Sequence, residues 1–135
     1  MPSQKSYDAD TYKAGADLSG YQYRCLRYYS TWDNYVRVLG DTGQITVGVL
    51  NNKPSAVTGA ACQIISRGCA KVKTNDKFSA GDWCVAEQTT GKVINLASGG
   101  TTGEYLAGIA MESAATADIM LMQIEIEEIT TDVAK

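Results

Sequence analysis

Short apolar runs separated by turn-forming residues are the feature that most constrains the fold of this chain. From Gly20 onward the runs recur every 8 to 15 residues, with Gly, Pro, Asn, Asp and Ser between them. Residues 21–29 alternate as a half-buried strand does. Many short strands at this spacing predict a mainly β fold, an antiparallel β-barrel or a sandwich.

The first nineteen residues lack this alternation, although they carry Tyr7, Tyr12 and Leu18 at irregular intervals. A polar chain end is usually disordered. The aromatic residues instead favour an arm that adds to the sheet edge of a neighbour. We therefore expect an extended N-terminal arm over residues 1–19 and a single β domain over residues 20–135.

Three local signals refine this interpretation. Pro54 cannot donate a hydrogen bond within a central strand, so a turn or wide loop is expected at Asn51–Pro54. Gly48 and Gly108 lie inside apolar runs, where glycine indicates a bulge or a close backbone approach. Residues 111–117 are alanine-rich but short, so a turn is as consistent with them as a helix.

The chain lacks the usual components of an enzyme active site. It contains no histidine, which is the commonest general base at neutral pH. The carboxylates of Asp41, Asp82, Glu87 and Glu112 lie beside turn glycines or at strand ends, where acidic residues usually form turns or caps. Cys84 follows Asp82 and lies in an apolar run, and both features raise a thiol pKa. We expect no catalytic residue and no enzymatic activity.

Metal ions and cofactors are not expected either. The four cysteines are scattered without a Cys-x-x-Cys spacing, and there is no histidine to complete a zinc site. Each lies in an apolar, strand-like stretch, which predicts buried free thiols. The cysteines are Cys25, Cys62, Cys69 and Cys84. The acidic residues near the end alternate with isoleucine and therefore predict the solvated side of a strand rather than a cation site.

Charge and hydropathy exclude two classes of partner. The 12 basic and 15 acidic residues give a net charge of -3 without a basic cluster, so nucleic acid is not expected to bind. No apolar run approaches the roughly 20 residues that span a bilayer, and the N-terminus does not resemble a signal peptide. We expect a soluble protein made in a cytoplasm, with no membrane partner.

The aromatic segment 21–35 also contains Arg24 and Arg27. Such a mixture could form a stacking platform for single-stranded nucleic acid. However, Tyr, Trp and Arg are also the residues enriched at energetically important protein contacts, and the negative net charge favours a protein partner.

Several segments, taken in order, carry a recognisable family pattern. They are Ala16-Asp17-Leu18-Ser19, Gly48-Val49-Leu50-Asn51-Asn52-Lys53-Pro54, Gly68-Cys69-Ala70-Lys71-Val72, Ala80-Gly81-Asp82 and Ala107-Gly108-Ile109-Ala110. The ordered set resembles the small head-decoration, or cement, proteins of bacteriophages. The resemblance covers about residues 14–115. The aromatic segment 28–43 and the acidic C-terminal segment depart from the pattern.

The resemblance implies a structural virion protein that binds the outer surface of the phage head and stabilises it. It also implies a compact antiparallel β-barrel or β-tulip-like domain, made in the cytoplasm of a bacterial host. The partners of the protein would be the major capsid protein and two further copies of itself, arranged as a homotrimer at three-fold and quasi-three-fold positions. No small-molecule substrate is implied. The expected contact residues lie in the arm and in the proline-containing loop: Tyr7, Tyr12, Leu18, Asn51, Asn52, Lys53 and Pro54.

Two other functions are consistent with the pattern of strands. A tail-tube or head-completion β protein would also form oligomers, but as a ring. A ligand-binding β-barrel module would use residues 21–35 as its platform.

Overall fold

The computed structural model describes residues 7–29, 31–39, 46–99 and 105–128, and the mainly β fold is confirmed. The strands are β1 (Tyr7–Ala14), β2 (Cys25–Tyr28), β3 (Tyr35–Val38), β4 (Gly48–Leu50), β5 (Ala61–Lys73), β6 (Trp83–Ala86), β7 (Val93–Asn95), β8 (Tyr105–Ala110) and β9 (Ile119–Glu128), with one helical turn, α1 (Leu96–Gly99). Within these ranges, no helix is long and apolar enough to cross a membrane.

Five strands close into a barrel in the order β1-β3-β2-β4-β5, because β5 pairs back with β1. Every pairing in the ring is antiparallel except the parallel pairing of β1 with β3. Alternate residues point inward and are fully buried, among them Ala14, Leu26, Val36, Leu50 and Ile64. Side chains therefore fill the barrel, as expected for so few strands.

A second sheet continues from the barrel in the order β5-β9-β8-β6-β7. The 13-residue strand β5 belongs to both parts, and it passes through Gly68, whose φ of 87° lies in the left-handed region. Tyr23 links distant parts of the fold, because its N–H donates to Leu50 O (2.7 Å) and its carbonyl accepts from Lys73 N–H (2.8 Å). The large side chains buried in the second sheet include Met120 and Met122.

The N-terminal segment differs from the expected arm. From Tyr7 to Ala14 it forms β1, which is hydrogen-bonded to both β3 and β5 of its own chain. Leu18 follows β1 and is 2% exposed. The strand was not recognised because its inward positions carry small residues or a tyrosine, which gives a weak apolar alternation. The expected arm before Tyr7, and the carboxylate of Asp41, lie outside the described residues.

Two glycines predicted to mark close backbone approaches do so. A Cβ on Gly48 would collide with the carbonyl oxygen of Ile65, and one on Gly108 with that of Gln123. The β8–β9 register also shifts between Leu106 and Gly108. Residues 111–117 form a turn rather than a helix.

We predict that Gly108→Ala lowers the free energy of unfolding by about 1 to 3 kcal/mol, because the new methyl group must displace the β9 backbone. Gly20→Ala is the matched control, since a Cβ there meets nothing within 4 Å. It should change stability by less than about 0.5 kcal/mol. Denaturant unfolding of both variants tests this, and equal stabilities would contradict the close approach.

The four cysteines are free thiols, with Cys69 half-buried and the other three buried. Burial raises the pKa of Cys25 to about 12 and the pKa of Cys62 to about 11. Burial also raises the pKa of Cys84, and the nearby Cys25 and Asp82 add to the effect. Because the thiolate is the reactive form, these three thiols should be inert in the folded protein.

We predict that iodoacetamide at pH 8 modifies Cys69 first in the native protein and leaves the three buried thiols unmodified over the same period. After denaturation without reductant all four should react. Mass spectrometry of the intact chain and its peptides measures both outcomes. Thiols that remain protected after denaturation would contradict this assignment.

Candidate binding surface

The pairing of β1, β2 and β3 places a set of basic and aromatic side chains on the outside of the barrel. Arg27 of β2 lies directly opposite Arg37 of β3, and Lys13 of β1 lies opposite Tyr35. Tyr29 donates its N–H to Tyr35 O at 2.8 Å. Because successive side chains of a strand point to opposite faces, these five point away from the buried Leu26, Val36 and Ala14. We name them the outer face: Lys13, Arg27, Tyr29, Tyr35 and Arg37.

Trp32, from the turn between β2 and β3, packs between the two tyrosines of the outer face. Its ring centroid lies 5.3 Å from that of Tyr29, at an interplanar angle of 86°, and 5.1 Å from that of Tyr35, at 60°. The Arg37 guanidinium lies 4.9 Å from the Tyr29 ring centroid, and the Lys13 ammonium 5.8 Å from that of Tyr35. The three rings thus form an aromatic stack with a cation at each end.

Gly15 of the chain leaves room for this arrangement. An ideal Cβ at Gly15 would lie 2.7 Å from Cγ of Arg37 and 3.0 Å from Cδ2 of Tyr29. The absence of a side chain therefore allows Arg37 to lie across the end of β1 and against Tyr29. Asn34, with a φ of 64°, provides the left-handed residue that turns the chain into β3.

Two large aromatic residues at this hairpin are well exposed. Trp32 is 47% exposed and Tyr28 is 54% exposed. The ring of Tyr28 contacts that of Tyr12 edge-on, with centroids 5.8 Å apart and hydroxyl oxygens 3.4 Å apart. Exposed aromatic rings beside arginines are typical of the residues that contribute most to protein–protein binding.

The electrostatics of the outer face are dominated by its cations. Arg27 donates from Nε to Val38 O (3.1 Å) and from a terminal nitrogen to Tyr28 O (3.2 Å), so its guanidinium is held in place. A hydrogen bond from Thr31 lowers the pKa of Tyr29, and the charge of Arg37 lowers it further. A cleft of about 440 Å³ opens beside Trp32. Its lining residues are Thr31, Trp32, Asp33, Tyr35 and Thr58.

The predicted loop Asn51–Pro54 lies against β5. Asn51 donates from its side chain to Gln63 Oε1 at 2.8 Å. Asn52 donates from its side chain to Ala61 O at 3.1 Å and accepts from the Gln63 N–H at 2.7 Å. Pro54 is buried and Lys53 is exposed. The loop amides therefore hold the β4–β5 connection, and Lys53 presents its side chain to solvent.

The three contact residues predicted in the arm do not form one site in the structure. The side chain of Tyr7 lies outside the described part of the chain. Tyr12 packs against Tyr28 beside the candidate surface. Leu18 belongs to the barrel core, so it does not provide a surface contact in the folded monomer. Its neighbours in the sequence are polar, so no sequence pattern indicates that Leu18 follows a strand of the barrel.

The sequence predicts the composition of the aromatic stack but not its arrangement. The sequence showed that segment 28–43 is unusually aromatic, but it did not single out Trp32 or Arg37. The alternation of Arg27 with Tyr29, and of Tyr35 with Arg37, is the signal that places these residues on one face. Within the described ranges, no group of three or more His, Cys, Asp or Glu side chains could hold a metal ion.

We predict that Tyr12 titrates at a pKa of about 12, because a hydrogen bond with Tyr28 and partial burial both stabilise its protonated form. Tyr28→Phe removes the first of these causes and should move the pKa of Tyr12 down toward 10. Tyrosine ring-carbon NMR shifts followed against pH would measure this. An unchanged Tyr12 titration in the variant would show that the pair is not formed.

The fold has a structural counterpart, although no protein-family model and no curated protein sequence matches the chain. The structure is similar to the crystal structure of the N base of the head fiber gp8.5 in bacteriophage phi29. The TM-score is 0.64, and the match covers 93% of this chain and 100% of that chain. Sequence identity is 16%, so what the two chains are shown to share is their fold.

Proposed function

We propose that this chain is a structural protein of a bacteriophage head, a decoration protein that binds the outer surface of the assembled capsid. The observation that carries the proposal is the fold, because the similarity covers the whole base of a phage head fiber and nearly all of this chain. The ordered segments that resemble head-decoration proteins support the same assignment independently of the fold.

The candidate capsid contact is the outer face together with Trp32 and Tyr28. Exposed aromatic rings and arginines have the composition of a binding hot spot. The rings are already fixed by contacts with each other and with Arg37, so little side-chain entropy would be lost on binding. This surface supports attachment better than the loop Asn51–Pro54, whose two asparagines already bond to β5 or its side chains.

We further propose that the chain forms a trimer and that its binding stabilises the capsid. Three copies around a symmetry axis could each contact a different capsid subunit, so that modest individual contacts add up to strong attachment. Such a clamp resists the separation of neighbouring subunits and needs no proton-transfer groups. We therefore propose that the chain acts without catalysis.

Binding to capsids that lack this chain tests the proposal. The purified protein should co-sediment with capsids of its own phage, and Trp32→Ala should weaken binding by about thirtyfold, the loss typical of a hot-spot residue. Ile119→Ala is the matched control, because Ile119 of β9 is exposed to a similar extent, 45% against 47%. A folded wild-type protein that fails to bind at any concentration tested would refute the proposal.

Two further measurements test the finer claims. The mass in solution should correspond to a monomer or a trimer, whereas a hexameric ring would favour a tail-tube or head-completion protein. Decorated capsids should withstand a higher temperature before releasing their contents than undecorated capsids do. Equal resistance of the two would remove stabilisation from the proposed function.

A further inference from the structure

We propose that the outer face binds a carboxylate-rich segment of its protein partner, an acidic patch on the capsid surface. The inference rests on the proposed function for the identity of the partner. The acidic character of the bound surface is inferred from the side chains of the outer face.

Three of the five side chains of the outer face are cationic, and the acidic Asp33 lies in the neighbouring turn, where it lines the cleft beside Trp32. Arg27 and Arg37 are directly opposed across β2 and β3, and Lys13 lies one strand further on. None of the outward residues at positions 13, 15, 27, 29, 35 and 37 is acidic, although the whole chain carries a net charge of -3. Like charges that lie directly opposite each other across a sheet are destabilising. Carboxylates from a partner would offset this repulsion.

The two arginines of the outer face are held in fixed positions. The Arg37 guanidinium is held over the Tyr29 ring, and Arg27 is bonded to two backbone carbonyls. A guanidinium has five N–H donors, so both arginines retain donors for a carboxylate. Because the planar groups are already oriented, a bidentate contact would require little further ordering.

The arrangement of the aromatic rings favours a protein partner over a single-stranded nucleic acid. Bases bind by stacking on open aromatic faces. Here Trp32 meets Tyr29 and Tyr35 at steep angles, and cations lie over both tyrosine rings. The rings are therefore engaged by one another and by cations. The net negative charge of the chain also opposes a long polyanion more than it opposes a short acidic patch.

A peptide titration tests the chemistry of the outer face without the capsid. We expect a ten-residue glutamate peptide at low salt to shift the NMR signals of Lys13, Arg27, Tyr29, Tyr35 and Arg37. Arg37→Gln should weaken binding by about threefold, as expected for one exposed ion pair. Arg37→Lys should weaken it less. Lys77→Gln is the control, because Lys77 is exposed but lies beyond β5, outside the outer face.

Either of two outcomes of the peptide titration would overturn the inference. Shifts that are absent from the outer face, or equal affinities for the wild type and Arg37→Gln, would show that these cations do not bind carboxylates. A ten-residue thymidine oligonucleotide provides the comparison. Tighter binding of the oligonucleotide than of the peptide would overturn the inference in favour of a nucleic-acid surface.

Capsid binding supplies the second readout. Raising the salt concentration from 50 to 300 mM should weaken capsid binding by about tenfold, because screening acts on the pairs at the contact. Binding that is insensitive to both salt and Arg37→Gln would overturn this inference while leaving the decoration function intact. Absence of capsid binding at every salt concentration would refute the decoration function, and the peptide titration would still decide the present inference.

Discussion

The pairing of β1 with β5 is the constraint on which the rest of the structure depends. Seven residue pairs join the strands, from Tyr7 opposite Gly68 to Lys13 opposite Ala61, and they convert an open sheet into a closed barrel. Closure removes the exposed edge that β5 would otherwise present. It also fixes β1 beside β3, which places Lys13 against the ring of Tyr35. The candidate surface is thus a product of barrel closure.

The sequence could predict the strands but not this closure. Alternation and turn residues are local signals, and they correctly indicated a mainly β chain with glycines at two close approaches, Gly48 and Gly108. The β5 residues that pair with β1 lie about fifty to sixty residues further along the chain, and no periodicity indicates such a pairing. A weakly apolar strand at a chain end therefore resembles an arm until its partner is known.

The candidate surface was predictable in composition but not in arrangement. The aromatic richness of segment 28–43 is visible in the sequence, whereas the stack requires the register that sets Arg27 opposite Arg37. The loop Asn51–Pro54 was likewise predictable as a loop, whereas its hydrogen bonds were not. Its asparagines look available for a partner, yet the side chain of Asn52 bonds the β5 backbone at Ala61 and Gln63, and the side chain of Asn51 bonds that of Gln63.

Rigidity and charge together explain how such a surface could work in an assembly. A face built on three strands of a closed barrel cannot adapt much to its partner, which suits a partner whose geometry is repeated by symmetry. The chain as a whole is net negative, while the positive outer face gives each copy a preferred orientation toward an acidic surface. A net-negative protein that carries a cationic face is therefore directed by charge to dock on an acidic surface through that face.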